Sequence, residues 1–245
     1  MQVSVIIPTY NEEATISQVL DMVLARVENL HEVIVIDDGS SDHTAEICQE
    51  YEQKNPLIHT FRQCKNGGKT DALKEGIRRS SGEIVIVQDA DLEYNPAEIN
   101  LVTRPIQAGK ADVVLGSRLS NPDSNKSFFR SGYYANRLLT ILSNLFTGQR
   151  LTDVETCYKA FRGEIIRDMI ITSQRFGFEI EAVAKVNKLK CRVCEVPISY
   201  YGRSYKEGKK IGFKDGLMAL FYIIKYNVFC SKEKSFRHPE KFDFS

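Results

Sequence analysis

Several absences narrow the possibilities before any motif is read. No excess of either charge exists: 33 Lys and Arg face 32 Asp and Glu, for a net charge of +1. A surface devoted to nucleic acid is more basic than this, so nucleic acid is not an expected partner. No apolar stretch reaches the roughly 18 residues of a membrane-spanning helix. The longest run, residues 217–224, is stopped by Lys225. Residues 3–7 are too few for the apolar core of a secretory signal and no small-residue cleavage site follows, so no leader is expected and the chain reads as cytoplasmic. The six cysteines are scattered from Cys48 to Cys230, which points to reduced, mostly buried thiols and not to a disulfide framework. Cys191 and Cys194 form a lone C-x-x-C with no second pair or nearby His, and Val193, Val196 and Ile198 make that segment read as a strand. Two glycine fingerprints are missing as well. No G-x-G-x-x-G follows the first apolar run, and Gly68-Lys69-Thr70 lacks the upstream glycine of a P-loop. A dehydrogenase-type dinucleotide fold and a P-loop NTPase are both disfavoured.

What is present is a foldable chain of 245 residues, 42% hydrophobic and 27% charged, enough to bury a core. Over the first 120 residues two periods alternate. Short apolar runs at 3–7, 33–36, 84–87 and 113–115 read as buried strands, and 57–61 as a weaker one. Between them, 16–27, 44–52, 72–79 and 96–107 read as helices, the last with Pro96 near its first turn. This alternation predicts βαβ units and a parallel sheet covered on both faces. After residue 120 a polar loop (121–127) leads into 128–146, rich in aromatic and aliphatic residues. Further strands are expected at 156–161 and 192–201, and helices at 178–189 and 213–229. No repeat or linker is visible. The organisation expected is one domain over 1–230 and a polar, flexible tail over 231–245.

In parallel sheets ligands bind beyond the carboxyl ends of the strands. Four polar clusters fall there: residues 8–12, 37–40, 89–91 and 116–118. Asp89-Ala90-Asp91 sets two carboxylates at a strand end, where they can converge on one hard divalent cation that also takes phosphate oxygens. Asp37-Asp38-Gly39-Ser40 precedes a helix that Ser41 or Asp42 can cap, leaving a carboxylate to accept from a base N–H or a ribose hydroxyl.

These residues carry a resemblance. Val5-Ile6-Ile7-Pro8-Thr9-Tyr10-Asn11-Glu12-Glu13, Val35-Ile36-Asp37-Asp38-Gly39-Ser40-Ser41-Asp42 and Gln88-Asp89-Ala90-Asp91 resemble family 2 glycosyltransferases of the GT-A fold. Gly116-Ser117-Arg118, the stretch from Thr152 to Phe161 and the basic loop from Tyr201 to Ile211 are similar to the dolichyl-phosphate mannose synthase and polyprenyl-phosphate glycosyltransferase subgroup. Cys157 stands where that subgroup usually has glycine. The resemblance spans residues 3–215. It implies a Rossmann-like α/β fold with a mixed, mostly parallel sheet flanked by helices and a C-terminal helical elaboration. It also implies an inverting transfer from a UDP- or GDP-sugar by direct displacement. Pro8, Tyr10 and Glu12 would line the nucleotide pocket, and Asp38 would meet the base. Asp89 and Asp91 would hold ribose, Mg²⁺ or Mn²⁺ and the donor diphosphate. Lys69 would sit near the nucleotide or sugar. Arg203 and Lys209 or Lys210 would close over the diphosphate. Arg118 would face the acceptor phosphate.

A lipid-phosphate acceptor is already an anion, whereas a hydroxyl acceptor such as a saccharide needs a general base, for which Asp153 is the candidate. Two other readings remain: a sugar-1-phosphate nucleotidyltransferase, against which the Pro8 loop speaks because it lacks glycines and arginine, and a non-catalytic nucleotide-sugar binder. With no spanning helix, work on a lipid requires peripheral contact at the inner face of a membrane through 128–146 or 213–229. The same two segments would otherwise be core helices or the interface of a homo-oligomer.

Overall fold

The computed structural model describes residues 1–120, 130–203, 212–242 and 244. Strands β1 (Val3–Thr9), β2 (Leu30–Asp37), β3 (Ile58–Arg62), β4 (Ile84–Val87), β5 (Val113–Ser117), β6 (Lys159–Arg162) and β7 (Val193–Pro197) form one sheet in the order β3-β2-β1-β4-β6-β5-β7. Helices α1 (Ile16–Arg26), α2 (Thr44–Lys54), α3 (Lys69–Arg79) and α4 (Ile99–Gln107) connect the first five strands. The C-terminal half adds α5 (Arg130–Thr147), α6 (Gly163–Asp168), α7 (Phe178–Leu189), α8 (Phe213–Val228) and α9 (Lys232–Ser235). The mixed, mostly parallel architecture is the one the sequence implies.

The central strands are continuously apolar because helices cover both faces; every residue of β4 is buried. Helix α1 turns Ile16, Val19, Leu20 and Val23 inward at helical spacing. Helix α3 lies unusually close to β1. A Cβ added at Gly76 would meet Ile6 Cγ2 at 2.4 Å, so only glycine permits this approach.

The strand order places the functional edge. From β1 the chain winds outward to β2 and β3, then returns to pair β4 on the other side of β1. The reversal makes a crevice beyond the ends of β1 and β4. The pairings Thr9↔Asp37 and Ile6↔Val87 bring three strand ends abreast. Strand β6 runs antiparallel between β4 and β5. Its entry, residues 153–157, therefore lies at the edge where its neighbours end.

Two expectations change. Strand β6 starts at Lys159, not at residue 156, because the buried Lys159 ammonium turns back to donate to the Val154 and Thr156 carbonyls. The segment 231–242 is also anchored by packing, where a frayed tail was expected. Phe236 is 1% exposed and Phe242 is buried against it, and Met169 and Phe236 form an antiparallel bridge. Its polar residues masked two aromatic anchors. All six cysteines are free, and Cys194 lies within β7 as the strand pattern required.

Candidate active site

The converging loops enclose a cavity of about 520 Å³. Pro8, Tyr10 and Glu12 line it from the loop after β1, and Asp38 from the loop after β2. Lys69 opens α3 at its wall; Asp89 and Asp91 follow β4; Arg118 follows β5; Arg203 completes the lining. Asp153 is not among its lining residues, and Lys209 and Lys210 lie outside the described residues. A larger groove of about 860 Å³ runs beside β3 and α3 but touches none of these positions. Its Arg78 and Arg79 are paired with Glu75 and its Lys74 with Asp71.

The Asp38 carboxylate is nearly fully buried and accepts the backbone N–H groups of Gly67 and Gly68, both at 2.8 Å. It thereby fixes the turn that launches α3. Gly68 has φ +90°, and a Cβ there would come within 3.0 Å of Arg175 Cα. The turn delivers Lys69 with its ammonium 2.8 Å from Asp89 Oδ1 and 2.9 Å from Glu179 Oε1. Burial works against the Lys69 charge, but Asp89 and the other acidic neighbours hold its pKa well above the ordinary lysine value.

Three carboxylates alternate along the loop after β4: Asp89, Asp91 and Glu93. Burial, then the charges of Asp89 and Glu93, push Asp91 up to about 7 despite the nearby Arg203. Arg203 serves all three remaining acids around it. Its Nη1 and Nη2 donate to Glu12 at 3.1 and 3.2 Å, and Nη2 also reaches Asp91 Oδ2 at 2.8 Å. Its backbone N–H donates to Glu93 Oε1 at 2.8 Å. Glu93 Oε2 accepts from Tyr200 Oη at 2.8 Å.

Arg118 is held from behind. Its Nε and Nη2 donate to Asp153 Oδ2 and Oδ1 at 2.7 and 2.9 Å, a two-pronged pair, and its backbone N–H adds a third bond at 3.1 Å. Asn136 Nδ2 donates to Asp153 Oδ1 at 2.8 Å. The guanidinium lies 5.0 Å from the Tyr200 ring centroid. Asp153 is 0% exposed. Burial opposes its charge, yet Arg118 and these hydrogen bonds hold its pKa below the ordinary carboxylate value. A base needs a reachable lone pair and affinity for a proton, and Asp153 offers neither. In this geometry both carboxylate oxygens of Asp153 are turned to Arg118 and the residue is not among the cavity lining, which favours a positioning role over that of a general base.

A hard divalent cation fits the Asp89–Asp91 pair chemically. The repulsion that lifts Asp91 is the repulsion such an ion relieves, and carboxylate oxygens are its preferred ligands. Among the described residues no group of three potential ligands is gathered on one point. Diphosphate oxygens and water would supply the rest of the coordination.

Sequence reasoning missed Glu93, Glu155, Glu179 and Tyr200, all in the cavity wall. Glu93 was within reach, since it continues the alternation of Asp89 and Asp91. Glu179 and Tyr200 have no local signal, because their partners are distant in sequence. Glu155 and Glu179 each keep one buried carboxylate oxygen, Oε1 and Oε2, without a hydrogen bond.

Residues 4–170 match the family model described as glycosyl transferase family 2. An undecaprenyl-phosphate 4-deoxy-4-formamido-L-arabinose transferase from Edwardsiella ictaluri is 32% identical over 93% of this chain and 67% of its own length. A dolichol-phosphate mannosyltransferase from Pyrococcus furiosus is 29% identical over 86% of this chain and 60% of its own. The chain thus spans about 60 to 67% of these relatives. A solved structure of glucosyl-3-phosphoglycerate synthase from Mycobacterium tuberculosis, in complex with Mn²⁺, UDP and phosphoglyceric acid, superposes with a TM-score of 0.71 at 19% identity. It covers 93% of this chain and 78% of its own, and supports the fold. With the motifs, the sheet order and the family match in agreement, the chain belongs to glycosyl transferase family 2.

Proposed function

We propose that this glycosyltransferase moves a sugar from a nucleoside diphosphate donor to a polyprenyl phosphate, with inversion at the anomeric carbon. The observation that carries the acceptor is the Arg118–Asp153 pair. A buried carboxylate is fully occupied in presenting a guanidinium to the cavity wall, and a guanidinium suits a phosphate by its fork of donors. The named activities of the Edwardsiella and Pyrococcus relatives support the same class. In this reading a phosphate oxygen of the acceptor attacks the anomeric carbon. The new C–O bond forms as the bond to the donor's β-phosphate breaks, and no proton need be removed from the nucleophile.

Pro8, Tyr10 and Asp38 form the nucleotide side of the cavity, with Asp38 acting through the Gly67-Gly68 turn. Asp89 and Asp91 would hold Mg²⁺ or Mn²⁺, which offsets charge on the diphosphate when bound. Lys69 orients Asp89, and Arg118 orients the acceptor. The Mn²⁺ and UDP of the mycobacterial neighbour support this donor chemistry.

Peripheral membrane contact belongs to the same proposal. No described helix is long and apolar enough to cross a membrane. Helices α5 and α8 pack together and leave large apolar side chains exposed on both. The test supplies undecaprenyl phosphate in detergent, or a soluble saccharide, with radiolabelled UDP- and GDP-sugars. Label in the lipid fraction is expected. Label in the saccharide alone would favour the hydroxyl-acceptor reading, whose base would then be sought at Glu155, a cavity-lining carboxyl held up by burial and by Glu179.

A further inference from the structure

The geometry points to Arg203 as a stand-in cation that couples metal binding to diphosphate binding. This rests on the donor reading above and goes beyond it, because it concerns the order and interdependence of ligands. The guanidinium lies 2.8 Å from Oδ2 of Asp91, a carboxylate that the reading assigns to the divalent ion. It is also shared with Glu12 at 3.1 and 3.2 Å, while Glu93 holds its backbone N–H. Arg203 is largely withdrawn from solvent: its side chain is 20% exposed, and the carboxylates of Glu12, Asp91 and Glu93 are 8, 18 and 15% exposed. At such burial, charge is weakly screened and a carboxylate without a counterion is costly.

Arg203 and a metal ion therefore compete for one carboxylate. A metal arriving alone must push the guanidinium off Asp91 or bear its repulsion at close range. A diphosphate changes the balance by giving Arg203 a new anionic partner in place of Asp91, beside Glu12. Each ligand then strengthens the other, by the same factor in both directions. Lys69 lies equally close to Asp89, at 2.8 Å, but it is the same in wild type and in the Arg203 variants and so does not alter their comparison.

Titrating Mn²⁺ by the loss of its free-ion electron paramagnetic resonance signal reads the coupling without any turnover. Wild type, Arg203→Gln and Arg203→Lys are titrated alone and with saturating UDP or GDP, with melting curves to establish folding. In Arg203→Gln the affinity for Mn²⁺ alone should rise by about tenfold, within the usual range of coupling between sites. Its affinity in the presence of nucleoside diphosphate should fall, and Arg203→Lys should lie between. Opposite movement of the two affinities is the signature, since general damage to the site would weaken both. If Arg203→Gln binds Mn²⁺ alone no more tightly than wild type while both respond to nucleotide, the coupling role is wrong and the donor reading stands. If wild type binds no Mn²⁺ even with UDP or GDP, the metal assignment of Asp89 and Asp91 fails, and this inference with it.

Discussion

The Arg118–Asp153 pair bears directly on the proposed chemistry, because it occupies both oxygens of the buried carboxylate and fixes the guanidinium at the cavity wall. Asp153→Asn should leave Arg118 as a buried charge without its counterion, a change that typically costs about 3–5 kcal/mol. Urea midpoints should fall accordingly, and acceptor-dependent turnover should fall with them. Arg118→Ala combined with Asp153→Asn should be no worse than the poorer single variant, because both break one pair. The pH dependence has a fixed sign. Asp153 is held below its ordinary value of 3.8. Its contribution is therefore complete above that value and is lost as pH falls through the lower folded value. Wild type should lose more stability between pH 5 and acid conditions than Asp153→Asn loses. Glu155 supplies a second test at this scale. Under the phosphate-acceptor reading, Glu155→Gln keeps turnover within a few-fold, whereas removal of a general base costs roughly 10²–10⁴. A loss of that size would transfer the assignment to a hydroxyl acceptor.

At the scale of elements, the sequence was most legible where a strand is buried on both faces. The run at 84–87 coincides with β4, and the polar clusters after β1, β2, β4 and β5 all reach one edge. The short antiparallel β6 was harder, because Lys159 is buried within it and its ammonium is satisfied by nearby carbonyls. The sequence does not show that this ammonium turns back to the carbonyls before it, so the strand was expected from residue 156 and not from Lys159. The same blindness hid the pairings that build the site. Glu12 and Arg203 are 191 positions apart, and Lys69 meets Glu179 only because α3 and α7 both start at the cavity. The C-terminal segment failed for a different reason: its composition is polar, but its stability depends on two phenylalanines. Phe236→Ala should cost about 3–5 kcal/mol, as for other buried aromatic truncations. An unchanged urea midpoint would return this segment to the status of a loose tail.

The molecule as a whole presents its active edge and, among the described residues, two helices with exposed apolar side chains. On α5, Tyr134, Leu138, Ile141 and Leu145 are exposed in a single stripe; on α8, Leu217, Phe221, Ile224 and Val228 repeat the same spacing. Positions i, i+4, i+7 and i+11 share one face of a helix, and the two helices are packed neighbours. Their other faces are core, where Leu139, Tyr222, Ile223 and Tyr226 are buried. The sequence offered core or membrane for these helices, and the structure divides each helix between a buried and an exposed face. Exposed apolar stripes on two packed helices call for a covering. A bilayer interface suits them, since side chains worth roughly 1.5–3 kcal/mol each on full burial need enter only partly to give reversible binding. Arg137 on α5 and Lys214 on α8 are exposed and can meet anionic headgroups, but the net charge of +1 limits the electrostatic share. Flotation with liposomes should therefore carry the protein upward with modest sensitivity to salt. Leu138→Glu with Ile224→Glu should abolish flotation and leave UDP or GDP affinity unchanged, because both residues lie away from the cavity lining. If wild type stays at the bottom of the gradient and sediments as a dimer that the same pair of substitutions dissociates, the covering is a second copy of the chain and the lipid surface is excluded.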